Sequence, residues 1–180
     1  MRTVQERGFY LTLFRNTFVP LGAIILGTMV YLLLMALIDH QLRIGPYLIL
    51  FLALIKTLII ARTTLRQLSK LVRACHSSVH VLWVFGLLIA ISILSFATDY
   101  NCLYLFDDRA FEGTLTASSS FVENLFQFLY FSLITFSTVG YGDLVPVSIM
   151  AKLLVMIEIF LSFLIVVYAL TNLKNIHLNE

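Results

Sequence analysis

The sequence predicts an all-α integral membrane protein: four transmembrane helices, with a short re-entrant helix and loop inserted before the last. Three observations predict it. Sixty per cent of the 180 residues are hydrophobic, 12% are charged and the mean hydropathy is +0.96, more apolar surface than a soluble domain of this length can bury. The apolar residues gather into four runs that can cross a bilayer core, which takes about 20 helical residues. A fifth run is too short to cross, and glycines follow it at once.

The first span is expected from about Phe18 to Ile38, and the second from Pro46, a favourable first-turn residue, to about Ala61. Lys56 falls inside the second and is expected to snorkel to the interface. The third span is expected over about 79–97 and the fourth over about 148–173, with one acid, Glu158, inside it. No cleavable signal is expected, because the first apolar run is too long for one and no small-residue cleavage site follows. The fifth run, about 120–136, opens on Ser120 with Glu123 three residues later, a capping-box signature. Irregular backbone after it is tolerated at membrane depth only against protein or water.

Charge sets the expected orientation. Arg2, Arg7 and Arg15 precede the first span, Arg62, Arg66, Lys70 and Arg73 lie between the second and third, and Lys174 follows the fourth. These ends are expected to be cytoplasmic, both termini included, with Asp39, Asp99, Asp107, Asp108, Glu112, Glu123 and Asp143 on the outer side. The basic run is spaced by four, four and three, with polar residues between and no acids in the first two spans to receive it. A cytoplasmic linker touching anionic headgroups accounts for it better than a voltage sensor. Cys75 and Cys102 have no metal or redox spacing, and Cys102 is expected in the outer loop, over 98–119, as a free thiol. No catalytic constellation, nucleotide loop or nucleic-acid signature is present, so an enzyme is not expected.

The chemistry concentrates in Thr135-Phe136-Ser137-Thr138-Val139-Gly140-Tyr141-Gly142-Asp143. Gly140 and Gly142 permit left-handed dihedrals on either side of Tyr141, so successive carbonyls can point to one side. Four such segments around an axis would stack rings of carbonyl oxygens, with a further ring from the Thr138 hydroxyl, able to replace the water shell of a potassium ion. The preceding helix would aim its partly negative C-terminus at the same place. A glycine-rich turn between two helices is the plain alternative, and the placement between a short helix and a spanning helix argues against it.

Ser137 to Asp143 resembles the signature filter of tetrameric potassium channels. The resemblance extends upstream through Tyr130 to Thr135 and downstream through Leu144, Pro146, Lys152 and the last span, roughly the C-terminal half of the chain. It implies a pore domain over 79–180 of outer helix, pore helix, filter (137–143) and inner helix, preceded by a two-helix segment over 1–78. It further implies a homotetramer, since one filter sequence per chain needs four copies to close a ring, and passive potassium conduction in a cell membrane. No cofactor is implied beyond potassium ions held by Thr138, Val139, Gly140, Tyr141 and Gly142. Non-conducting subunits that modulate a related channel are the rival, and an intact filter argues against it.

Further roles follow from the resemblance. Tyr130 occupies the position of an aromatic donor to the aspartate after the filter, here Asp143, while position 134, a glutamate in some relatives, is Ile134. Thr135 and Ser137 would support the filter from the pore helix. Ser162 stands where the family usually shows a hinge glycine, which puts glycine-hinged bending in doubt. Phe163, Val166, Leu170 and Lys174 recur on one helix face and would line the cavity and its exit. Glu158 is expected behind the pore helix, bonded to Thr135 or Ser132, because a carboxyl at this depth faces protein or water.

Overall fold

The computed structural model of the chain describes residues 45–74, 78–113 and 120–177, together with Gly22 and Met29; at 63–74, 78–84 and 172–177 it describes backbone alone. The expected first span over 18–38 therefore lies outside the described residues, save those two, as does the side chain of Lys174. The described elements are helix α1 (Gly45–Ala74), helix α2 (Ser78–Phe106), strand β1 (Phe111–Gly113), helix α3 (Phe121–Phe136), strand β2 (Leu144–Pro146) and helix α4 (Ile149–His177). Among the described residues, three stretches are long and apolar enough to cross a membrane: Gly45–Arg62, Phe85–Phe106 and Ile149–Thr171. At 16 residues α3 is about 24 Å long, short of a hydrocarbon core of about 30 Å.

Helix α2 is the centre of the packing, with α1, α3 and α4 all against it, while α1 also packs along α4. Its middle and C-terminal half bury residues on every side: Ser92, Ser95, Phe96, Ala97, Thr98, Asp99, Tyr100, Asn101, Cys102 and Leu103 are all buried. Helix α1 shows one buried stripe, Ile49, Ala53, Lys56 and Ile60, at helical spacing, with Phe51, Leu58 and Tyr47 exposed on the others. Its N-terminal end sits tightly on the C-terminal end of α2: a Cβ on Gly45 would approach the Phe106 ring to 2.7 Å.

Local signals explain the element ends. The capping box at the start of α3 is present: Ser120 Oγ accepts from the Glu123 N–H, and Glu123 Oε2 accepts from the Ser120 N–H at 2.8 Å. Ser148 caps α4, its hydroxyl accepting from the Ala151 N–H at 3.1 Å. Helix α4 runs unbroken through Ser162, whose hydroxyl donates to the Ile159 carbonyl at 2.8 Å.

Several expectations are corrected. Helix α2 ends at Phe106 rather than near Ala97, so Asp99 and Cys102 belong to a buried helix and not to an outer loop. Asp99 interrupts the apolar run, which is why the span seemed to stop before it. Lys56 does not snorkel: it is 4% exposed and forms an ion pair with Asp99, itself 1% exposed. The second span and the basic run after it are one continuous helix to Ala74.

A two-stranded sheet was not expected from the sequence. Strands β1 and β2 pair antiparallel, Phe111 with Pro146, Glu112 with Val145 and Gly113 with Leu144. Gly113 has φ +143°, and a Cβ there would collide with the backbone carbonyl oxygen of Asp143. Gly113→Ala is expected to destabilise this sheet by about 2 kcal/mol or more, from the combined dihedral strain and clash. Thermal melting of the purified protein checks it, and an unchanged melting temperature would contradict this close approach.

Candidate functional site

The segment after α3 departs from ordinary backbone in a regular way. Thr138 has φ +59°, Gly140 φ +54° and Gly142 φ +77°, while Val139 and Tyr141 between them keep negative φ. Alternating the sign of φ swings successive peptide planes so that neighbouring carbonyls share a side, where a normal strand alternates them. Two of the three left-handed positions are glycine, which adopts them freely. The third is β-branched Thr138, where the left-handed region is a strained outlier. Strain of that kind gathers at functional sites and needs its surroundings to hold it.

The holding contacts come from the C-terminal turn of α3. The Ser137 N–H donates to the Leu133 carbonyl and the Thr138 N–H to the Thr135 carbonyl, both at 3.0 Å. The Ile134 carbonyl accepts twice, from the Val139 N–H at 2.9 Å and the Gly140 N–H at 3.2 Å. The Ser137 hydroxyl donates to the Leu133 carbonyl at 2.8 Å. Carbonyls that a helix end would leave without partners thus strap the first half of the segment to the helix. The segment itself, Thr138 to Gly142, is exposed in the single chain.

The far end of the segment is held from two sides. Tyr130, half-buried on α3, lies beside Asp143, whose Oδ1 is buried with no partner among the described residues; desolvation first and then the nearby Asp143 carboxyl raise the phenol above its ordinary range. Gly113 of β1 backs the Asp143 carbonyl, and β2 begins at the next residue. Tyr130→Phe removes the hydroxyl while keeping the ring and is expected to shorten the life of the working conformation of this segment severalfold. Decay of ion flux under sustained driving force checks it; an unchanged decay would contradict a role for the hydroxyl.

Behind α3 lies a buried polar cluster drawn from three helices. Glu158 on α4 is 1% exposed. Its Oε2 accepts from the Tyr100 hydroxyl of α2, and its Oε1 lies against the Ser132 hydroxyl of α3, both at 2.5 Å. Ser132 Oγ is also 3.0 Å from the Ile93 carbonyl of α2. Two hydroxyl protons serve three contacts, so a protonated carboxyl completes the set. Of the two expected neighbours of Glu158, Ser132 is in contact, while Thr135 serves the backbone of the segment through its carbonyl. Around the cluster Tyr100, Phe111, Phe128 and Phe131 pack edge to face, Tyr100 to Phe131 at 5.3 Å and Phe111 to Phe128 at 5.0 Å.

On α4, Phe163, Val166 and Leu170 are exposed along one face of the single chain, whereas Leu161, Ser162 and Ile165 are buried. Sequence reasoning missed Lys56, Asp99 and Tyr100. The signal for Lys56 is its place on the same helical stripe as Ile49, Ala53 and Ile60; Asp99 and Tyr100 had no comparable signal once the third span was expected to end before them.

Comparison with known proteins places this arrangement. The chain is 38% identical over 89 residues to the two-pore potassium channel 4 of Arabidopsis thaliana, a match covering 46% of this chain and 29% of that protein. It is 40% identical over 81 residues to the voltage-gated potassium channel Kch of Escherichia coli K12, covering 43% of this chain and 16% of that protein. The match therefore spans less than a third of either relative's own length. No solved structure matches it significantly. A family model described as "Ion channel" matches residues 86–177, which hold α2 from its apolar part onward, both strands, α3, the strained segment and α4. With just over half of its residues inside that model, this membrane chain belongs to the ion-channel family, a family of channels rather than enzymes.

Proposed function

We propose that the chain is a subunit of a potassium-selective channel in which four copies surround one pore and potassium passes down its electrochemical gradient. The observation that carries this reading is the alternating φ from Thr138 to Gly142, the backbone form that can turn the oxygens of Thr138, Val139, Gly140 and Tyr141 to one side. The names of the two relatives support potassium as the ion. Two exposures support the assembly. The strained segment lies open in the single chain, and α3 and α4 expose large apolar residues on faces away from α2, including Phe126, Met156, Phe160 and Phe163. Copies of the chain would cover these faces, with both termini cytoplasmic.

The helix after the segment lines the way out, so Val166 and Leu170 form apolar rings, with Lys174 below them. A narrow apolar ring closes a pore by dewetting. Leu170→Asn wets the ring and is expected to raise the open probability severalfold, read in single-channel recordings in symmetric potassium. Equal open probability in mutant and wild type would reject this gate.

Purified protein in liposomes tests the function. Potassium-driven flux that sodium does not support is the expected result. Liposomes that stay tight to potassium would overturn the reading and leave a non-conducting partner subunit in its place.

A further inference from the structure

Two successive residues of α2 reach in different directions. Asp99 meets Lys56 of α1, and Tyr100 meets Glu158 of α4, which in turn meets Ser132 of α3. Consecutive helical residues point about 100° apart, so one turn of α2 touches α1 and α4 through polar groups, and Glu158 of α4 carries the contact on to α3. Every member is deeply buried: Lys56, Asp99, Tyr100, Ser132 and Glu158 each expose 4% or less.

The chain of contacts ends at the strained segment. Ser132 sits on the turn of α3 whose next carbonyls, those of Leu133, Ile134 and Thr135, hold the N–H groups of Ser137 to Gly140. The route therefore runs from Lys56 through Asp99, Tyr100, Glu158 and Ser132 to the backbone of Thr138, Val139 and Gly140.

Lipid changes the weight of these contacts. Apolar faces of α1 gain little by leaving lipid for protein, since the tails are as apolar as the side chains, so polar pairs decide the rotation and height of such a helix. A buried ion pair adds little net stability, yet breaking it by removing one partner is costly, because a charge is left behind. Lys56–Asp99 is thus a strong device for fixing where α1 stands and a weak one for holding the protein together.

We propose that Lys56, Asp99 and Tyr100 are positioning residues for conduction, tying α1 through α2 to the back of the filter. This rests on the channel reading above. Helix α1 lies outside the residues matched by the family model, so the proposal gives that helix a role in the pore: its position sets how firmly the filter backbone is held.

A double-mutant cycle on the full-length reconstituted protein tests it, with Tyr100→Phe, Lys56→Met and both together. Each single variant is expected to lower the potassium-over-sodium permeability ratio and the open probability. The double variant is expected to be no worse than the more severe single, a departure from independence of about fivefold. If the double effect equals the product of the single effects, or if the singles behave as wild type, the proposal fails. Lys56→Met leaves Asp99 buried without its cation and risks misfolding, so Lys56→Met with Asp99→Asn is the second variant, which removes the pair without stranding a charge. It should fold and show the same loss; wild-type permeation in that variant would overturn the proposal.

Amide hydrogen exchange at Val139 and Gly140 supplies a readout that needs no current. Exchange is expected to quicken there in the Tyr100 and Lys56 variants while the amides of α2 stay protected. A merely structural role would lower the melting temperature and leave filter exchange in the folded protein unchanged, which counts against the proposal. Absence of potassium current in wild type would sink the channel reading instead, and the exchange result would still decide whether the tie exists.

Discussion

Gly140→Ala is expected to abolish potassium-selective flux in reconstituted protein. Gly140 sits at φ +54°, in the middle of the alternation, and a Cβ there meets nothing within 4 Å in the single chain. Collision within the chain is thus not the cause; the penalty within each chain lies in the dihedral, roughly 1–2 kcal/mol for an L-residue held left-handed. Four copies around one axis would each bear it, about 4–8 kcal/mol per ring. A thousandfold ionic preference is worth only about 4 kcal/mol. The strain therefore matches or exceeds the margin it has to disturb, and the cheapest relief is to turn the peptide and withdraw its carbonyl. Potassium and sodium flux assays on the same preparation read the effect; an unaltered permeability ratio would remove Gly140 from the ion path.

Glu158→Ala should have the second-largest effect, on stability of the fold. It strands the buried hydroxyl of Tyr100, leaves Ser132 with the Ile93 carbonyl as its remaining partner, and opens a gap among three helices. Each buried polar group without a partner costs about 1–3 kcal/mol, and the membrane moves such penalties toward the low end. At least about 1 kcal/mol is expected from the stranded hydroxyl, and more from the gap, seen as a lower melting temperature. Glu158→Gln keeps an acceptor for Tyr100 and a donor for Ser132, and should stay close to wild type. If the two variants were equally damaging, the carboxylate charge, and not the hydrogen-bond set, would be what the cluster requires.

What could be read in the sequence was whatever depends on neighbours along the chain. Two glycines flanking Tyr141, a capping box three residues wide and the short apolar run of α3 are local patterns, and each appears in the structure where the pattern put it. Glu158 beside Ser132 was legible because depth in an apolar helix demands a partner. The ion pair of Lys56 with Asp99 was not, since it joins residues 43 apart and one of them looked like the end of a span. The strands at Phe111–Gly113 and Leu144–Pro146 are too short for any alternation to show. The strain at Thr138 was equally hidden, because nothing in a threonine announces a positive φ; only the straps from Leu133, Ile134 and Thr135 make it tenable.

The most direct measurement is the reversal potential of purified protein in a planar bilayer with potassium on one side and sodium on the other. The account predicts a current carried by potassium, displaced from zero by about 59 mV for each tenfold preference. A reversal near zero, or a bilayer that remains silent, would contradict it.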